Sequence, residues 1–300
     1  MISINLETLL TIIYVLVDDW YQVHYQGVPG KPGVEAELKE SEILTLMIAQ
    51  DYIPYPGERQ YIGYLKANHA GLFPRLVDQS QYNRRARGLQ RRLEDLRQYW
   101  VSQLVGTDTH TLLLDTKPIP VVGMKRSKKR SDFAGSAAYG YCAARQMRYF
   151  GYKLVMLTTL DGVPLIYDLV AANLDERLAA EAVLLRVQNR VILGDKGFIG
   201  VEWQAQIQAA THNQVFTHKR HNQATQNPSS FDRLLGKLRE RIETTFHQIQ
   251  NTGRNVERLL AKTVEGLTTR VVQKVTALVL RLLLRRDFGI DVQSFQVFPV

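Results

Sequence analysis

Two short apolar runs in this chain each lead into an aspartate: Thr111-Leu112-Leu113-Leu114 into Asp115, and Val191-Ile192-Leu193-Gly194 into Asp195. Runs this short cannot form helices of ordinary length. They also lack the polar/apolar alternation of a half-exposed strand, so they predict strands covered on both faces. Strands of that kind need helices above and below them, and the chain supplies candidates at 174–188 and 231–251, where apolar residues recur with helical spacing. Residues 152–160 and 163–170 flank Asp161-Gly162, a two-residue hairpin signal, and 213–217 reads as a further strand. The expected fold is α/β, a mixed sheet flanked by helices.

The first third has a different texture. Leu6, Leu9, Leu10, Ile13, Leu16, Val17 and Trp20 repeat at i, i+3/i+4 and predict a helix with one buried face. The Gly- and Pro-rich stretch 26–33 predicts a loop. Ser41 is the expected cap of a helix over 42–51, and further helices are expected over 60–72, 82–104 and 256–286. Residues 1–80 carry a net charge of −5, residues 81–130 a net +8 and residues 131–300 a net +6. Basic character thus begins at Arg84, and the reading divides the chain into a helical region over 1–105 and an α/β domain over 106–300.

The whole chain has a net charge of +9, which points to a polyanionic partner, nucleic acid before an anionic membrane surface. With 45% hydrophobic and 22% charged residues it has the composition of a folded protein. Cys142 is the single cysteine, so no internal disulfide is available, and no Cys/His cluster has zinc spacing. The most apolar window, 275–284, is about half of a membrane span and contains Arg281. No basic segment precedes the N-terminal apolar stretch, so a cytoplasmic, nucleoid-associated protein with no membrane partner is expected.

Strand ends are where open α/β sheets bind ligands. Two carboxylates brought together there disfavour each other's ionisation unless a cation intervenes, and hard ions such as Mg²⁺ take such oxygen ligands. Glu243 is a third candidate acid, bordering the apolar stripe of Leu235, Leu238, Ile242, Phe246 and Ile249 on its helix. Taken singly, each has a plainer reading: an aspartate after a strand also serves as a turn former or helix cap, and Glu243 also pairs with Arg239 at i−4.

Asp115, then Gly194-Asp195-Lys196-Gly197-Phe198, then Arg239-x-x-x-Glu243 resemble the three catalytic blocks of DDE-type insertion-sequence transposases. Gly140-Tyr141-Cys142, Tyr149-Phe150-Gly151-Tyr152-Lys153-Leu154 and Asp161-Gly162-Val163-Pro164 are similar to the segment joining the first two blocks, and Gln81-Tyr82-Asn83-Arg84-Arg85 to the family's helical N-terminal region. There are departures. Gln250 stands where the family usually has a lysine seven positions after the glutamate, Gly236 where a tyrosine often precedes the arginine, and Val155 where histidine is common.

The resemblance implies an RNase H-like catalytic core. Asp115, Asp195 and Glu243 would be the catalytic residues and the ligands of two Mg²⁺ ions, with Mn²⁺ able to substitute. It implies DNA cleavage at element ends and transfer of the 3′-hydroxyl into target DNA, by a homodimer in the active complex. Arg84, Arg85, Lys125, Arg126, Lys128, Lys129, Arg130, Lys196 and Arg239 are the expected DNA contacts, since neutralising phosphates supplies most non-specific affinity. A catalytically inactive DNA-binding descendant of a transposase is the alternative, resting on Gln250 and Gly236.

Overall fold

Both aspartate-bearing runs are strands at the centre of a single sheet. The computed structural model describes residues 4–25, 37–106, 109–123, 131–143, 146–221, 223, 226–251 and 255–292. The strands are β1 (Thr111–Pro120), β2 (Ala138–Cys142), β3 (Met147–Thr159), β4 (Pro164–Ala171), β5 (Val191–Gly194) and β6 (Gln214–Thr217). Their order is β2-β3-β1-β5-β6, with β4 also paired to β3. β1 is antiparallel to β3 and parallel to β5, and β5 is parallel to β6. Three antiparallel strands followed by two parallel ones make an RNase H-like mixed sheet.

Residues 101–250, which hold this sheet, form one compact unit. Helices α6 (Glu176–Leu184) and α7 (Val201–Thr211) pack on the face presented by Leu112, Leu114, Val155, Leu157 and Ile192. Ala179, Ala180, Val183, Trp203 and Ile207 complete that core. Each large apolar side chain buried there contributes about 1.5–3 kcal/mol relative to exposure. Side chains alternate along a strand, so Leu113, Asp115, Lys117 and Ile119 face the other way, where Lys117 meets the long helix α8 (Ser229–Asn251). The turn at Asp161-Gly162 closes the β3–β4 hairpin, with Gly162 at φ +83, a left-handed conformation that glycine adopts without strain.

The remaining segments, 1–100 and 251–300, form the second unit. It contains α1 (Leu6–Tyr25), α2 (Glu40–Ala49), α3 (Glu58–Asn68), α4 (Gln79–Gly88), most of α5 (Gln90–Leu104) and α9 (Val264–Phe288). The reading that gave everything after residue 105 to the α/β domain therefore differs from the observed division. The reason lies in α9. Lys274 pairs with Asp51 at 2.6 Å, Tyr52 donates to the carbonyl of Ala277 at 2.6 Å, and Arg270 pairs with Glu58 at 2.9 Å. Those buried partners all stand on the N-terminal helical segments or the turns that follow them.

Several element boundaries also differ. The helix expected over 82–104 is two, broken after Gly88, because Leu89 leaves helical geometry. Lys39, not Ser41, occupies the N-cap of α2, and Ser41 is buried inside the helix. β2 and the first five residues of β3 extend the sheet beyond what periodicity showed. The expected loop at 26–33 lies outside the described residues.

Candidate active site

Asp115 is not at the end of its strand. β3 pairs with β1 from Leu112 to Pro120, so Asp115 sits mid-strand, opposite Met156. β5 by contrast stops at Gly194, and Asp195 follows as the N-cap of a 3-10 turn over Lys196–Phe198. The parallel register pairs Leu113 with Leu193; carried on by two residues it brings Asp115 abreast of Asp195. The long antiparallel partner lets β1 run on beside the point where β5 ends, and at that step Asp195 comes near enough for its charge to act on Asp115.

Each is held by local backbone. Asp115 accepts from the amide of Thr116 at 2.7 Å, and Asp195 from the amide of Lys196 at 2.5 Å. Helix α8 contributes the rest. Its register buries Leu235, Ile242, Phe246 and Ile249 and leaves Arg239 and Glu243, one turn apart, at the sheet end. Arg239 Nη1 lies 3.3 Å from Asp195 Oδ1, and its Nη2 lies 3.7 Å from Glu243 Oε1. One guanidinium therefore ties the second and third acids together. Glu243 remains largely exposed and Arg239 largely buried.

Burial pushes Asp115 up to about 7. The Thr116 amide and Arg239 pull it down, and the charges of Asp195 and Glu176 push it up again. Glu176 is the acid that sequence reasoning missed. It is the first residue of α6, whose N-cap Asp175 accepts from Arg177. Burial raises its proton affinity, Lys153 opposes that, and Asp195 and Asp175 add to it. A Cβ on Gly197 would stand 1.4 Å from Glu176 Oε2, so the carboxylate fills the place where a side chain at 197 would be. The glycine after Asp195-Lys196 was the available signal, but it did not say which residue approaches it.

Among the described residues, no three His, Cys, Asp or Glu side chains converge closely enough to hold a metal ion as they stand. The donor set nonetheless fits a hard divalent cation. All of it is carboxylate oxygen, and Asp115, Asp195 and Glu243 bring three acids to a place where Arg239 is the cation paired with two of them. Arg239 supplies the only positive charge that ion-pairs with two of the acids among the described residues.

A sequence-family profile described as a transposase DDE domain matches residues 106–280. That match covers more than half of the chain. The chain belongs to the transposase DDE domain family. Among solved structures, the Drosophila P element transposase strand transfer complex is similar at 14% identity, over 92% of this chain and 67% of that one, with a TM-score of 0.29. No curated protein matches.

The expected DNA contacts of this transposase fare differently. Lys196 is exposed. Its charge helps hold Asp232 below the usual carboxylate range, behind the larger effects of Asn227 and His218. In the helical unit Arg84 is exposed, whereas Arg85 donates to the carbonyl of Leu38. Arg87 and Arg92 pair with Glu265 and Glu40, so the arginine-rich helices α4 and α5 spend much of their charge inside their own unit. Lys125, Arg126, Lys128, Lys129 and Arg130 lie outside the described residues. No helix among the described residues is long and apolar enough to cross a membrane.

Proposed function

We propose that this transposase cleaves DNA at the ends of an insertion sequence and joins the freed 3′-hydroxyl to target DNA, using Asp115, Asp195 and Glu243. The observation that carries the proposal is the step between β1 and β5, where Asp115 and Asp195 come abreast and α8 adds Arg239 and Glu243.

Asp115, Asp195 and Glu243 are the residues to hold Mg²⁺, two ions in the full site, or Mn²⁺ in its place. A divalent pair supplies Lewis acidity and charge neutralisation for in-line phosphoryl transfer. The chain's own residues do the positioning. Backbone amides of Thr116 and Lys196 fix one oxygen of each aspartate. Arg239 holds Asp195 and Glu243 together through its two terminal nitrogens, and its buried Nε has no hydrogen-bond partner among the described residues. Lys196 adds an exposed cation one residue from Asp195. No covalent link between protein and DNA is required, which agrees with the absence of a serine or tyrosine from the proposed catalytic set.

The partners are the element's terminal inverted repeats and the target duplex, bound by a homodimer. The inactive-binder alternative rests on Gln250 and Gly236, and it makes the opposite forecast in one experiment. Purified protein is incubated with labelled element-end DNA in Mg²⁺, Mn²⁺ or EDTA, beside Asp195→Asn. Metal-dependent nicking at the repeat terminus, lost in the variant, supports the enzyme. Binding without a nick under any metal supports the alternative.

A further inference from the structure

The β2–β3 hairpin carries an exposed aromatic and cationic strip that the carboxylates do not use. In its antiparallel register Tyr139 is opposite Phe150 and Tyr141 opposite Arg148. Directly opposed residues share a face, so these four side chains lie together. Tyr141 is 58% exposed and Arg148 is also exposed, while Phe150 is buried and meets Tyr139 edge to face at 5.1 Å. β2 is an edge strand, where outward tyrosines are a liability unless something covers them.

The strip belongs to the carboxylate face. Asp115 is opposite Met156 on β3, and Phe150 and Arg148 keep the parity of Met156 along that strand. Six residue steps along β3 lead from Met156 to Phe150, or about 20 Å. Next to Phe150 is a cavity of about 340 Å³ lined by Ala134, Gly135, Ala137, Tyr139 and Asn173. It has aromatic and small apolar walls and one exposed amide, Asn173.

We infer that Tyr139, Tyr141 and Arg148, with the cavity at Phe150, form a stacking site for unpaired bases of a single DNA strand leading away from Asp115 and Asp195. Two tyrosines at i and i+2 on one face offer consecutive π-surfaces. The opposed arginine neutralises phosphate, and the amide in the cavity offers both a donor and an acceptor to a base edge. A chain of charge +9 suits a polyanion over a second copy of itself, and consecutive aromatic faces suit the bases of a nucleic acid over the side chains of an acidic peptide. The biological role rests on the transposase site proposed above, but the binding itself does not depend on it.

The test therefore uses full-length protein in EDTA, where cleavage cannot occur, and fluorescence anisotropy with a labelled oligothymidine and a labelled duplex of equal length. Tyr139→Ala/Tyr141→Ala is expected to weaken oligothymidine binding by at least about tenfold and to leave duplex binding within about twofold. Tyr139→Phe/Tyr141→Phe, which keeps the rings, should bind as the parent does. Tyr141→Ala alone, at a mostly exposed position, gives an intermediate loss and guards against misfolding of the double variant, whose melting is followed in parallel. Unchanged oligothymidine binding in the alanine variants overturns the inference. So does an equal loss on both DNAs, or failure of the phenylalanine variant. Asp195→Asn separates the two ideas: it should abolish nicking in Mg²⁺ while leaving oligothymidine binding intact.

Discussion

Lys117 on β1 donates its ammonium to the side-chain oxygen of Gln250 on α8 across 2.7 Å. Lys117 lies two residues beyond Asp115 on the same face, and Gln250 two helical turns beyond Glu243. The bond therefore joins the strand that carries the first acid to the helix that carries the third. Lys117 also lies over the ring of Phe246, 5.9 Å from its centroid. Position 250, where related transposases usually have a lysine, is thus met by an ammonium from another element. Gln250→Lys should place two ammonium groups together and cost about 1–3 kcal/mol, read from urea unfolding. The exchange Lys117→Gln/Gln250→Lys should recover most of that loss. A Gln250→Lys single variant as stable as the parent would show that the contact does not couple the two elements.

Arg239 compensates Asp195 and Glu243 electrostatically. Arg239→Gln should therefore lower the melting temperature without metal. Added Mg²⁺ should then raise it by more than in the parent, because a cation has a larger surplus of negative charge to neutralise. Thermal shift with and without Mg²⁺ gives both numbers. An identical Mg²⁺ response in parent and variant would contradict the role assigned to the guanidinium.

Gly197→Ala tests the place of Glu176. The new methyl would meet the far end of a flexible side chain, so Glu176 can swing away and the stability change should stay within about 1 kcal/mol. The carboxylate would nevertheless leave the acidic cluster. Nicking is expected to fall to the level of Glu176→Ala, and the double variant should be no worse than either single one. Full activity in Gly197→Ala would remove Glu176 from the site.

In the helical unit, Glu58 accepts from Arg270, Gln79 and Asn83. Burial pushes this carboxyl up, but those bonds and the Arg270 charge outweigh it and hold the group below the usual glutamate range. A lowered carboxylate stabilises the fold above the unfolded pKa, and that contribution is lost as pH falls through the folded value. Glu58→Gln should thus lose about 3–5 kcal/mol near neutrality, as breaking a buried pair does. The gap to the parent should begin to narrow as pH falls below the ordinary glutamate value of about 4.3 and go on narrowing toward the lower folded value. Urea unfolding across pH would show it; a constant gap at all pH values would mean that packing, not charge, is lost.

Much of the site was readable in the sequence because strand ends and helix stripes are local. The apolar runs before Asp115 and Asp195, and the stripe of Ile242 and Phe246 beside Glu243, fix which residues lie on β1, β5 and α8 and roughly which way they face. What they cannot fix is register. That Asp115 is mid-strand depends on β3 reaching Pro120, and that Tyr139 faces the same side as Asp115 depends on combining the Asp115–Met156 pairing, between residues far apart in the chain, with the register of the β2–β3 hairpin. Glu176 was invisible for the same reason: only the packing of α6 against the turn at Gly197 brings it to the other acids.

Charge was the poorest guide. The sequence by itself determined the basic excess, the α/β pattern and the three ordered acids. Tertiary structure decided where the charge is used: Arg85, Arg87 and Arg92 are taken up within the helical unit, and α9 joins the N-terminal helices through Lys274 and Asp51. Periodicity is set by each residue's own neighbours in the chain. An ion pair is set by whichever opposite charge folding brings within reach, and a buried charge left without one is too costly to keep.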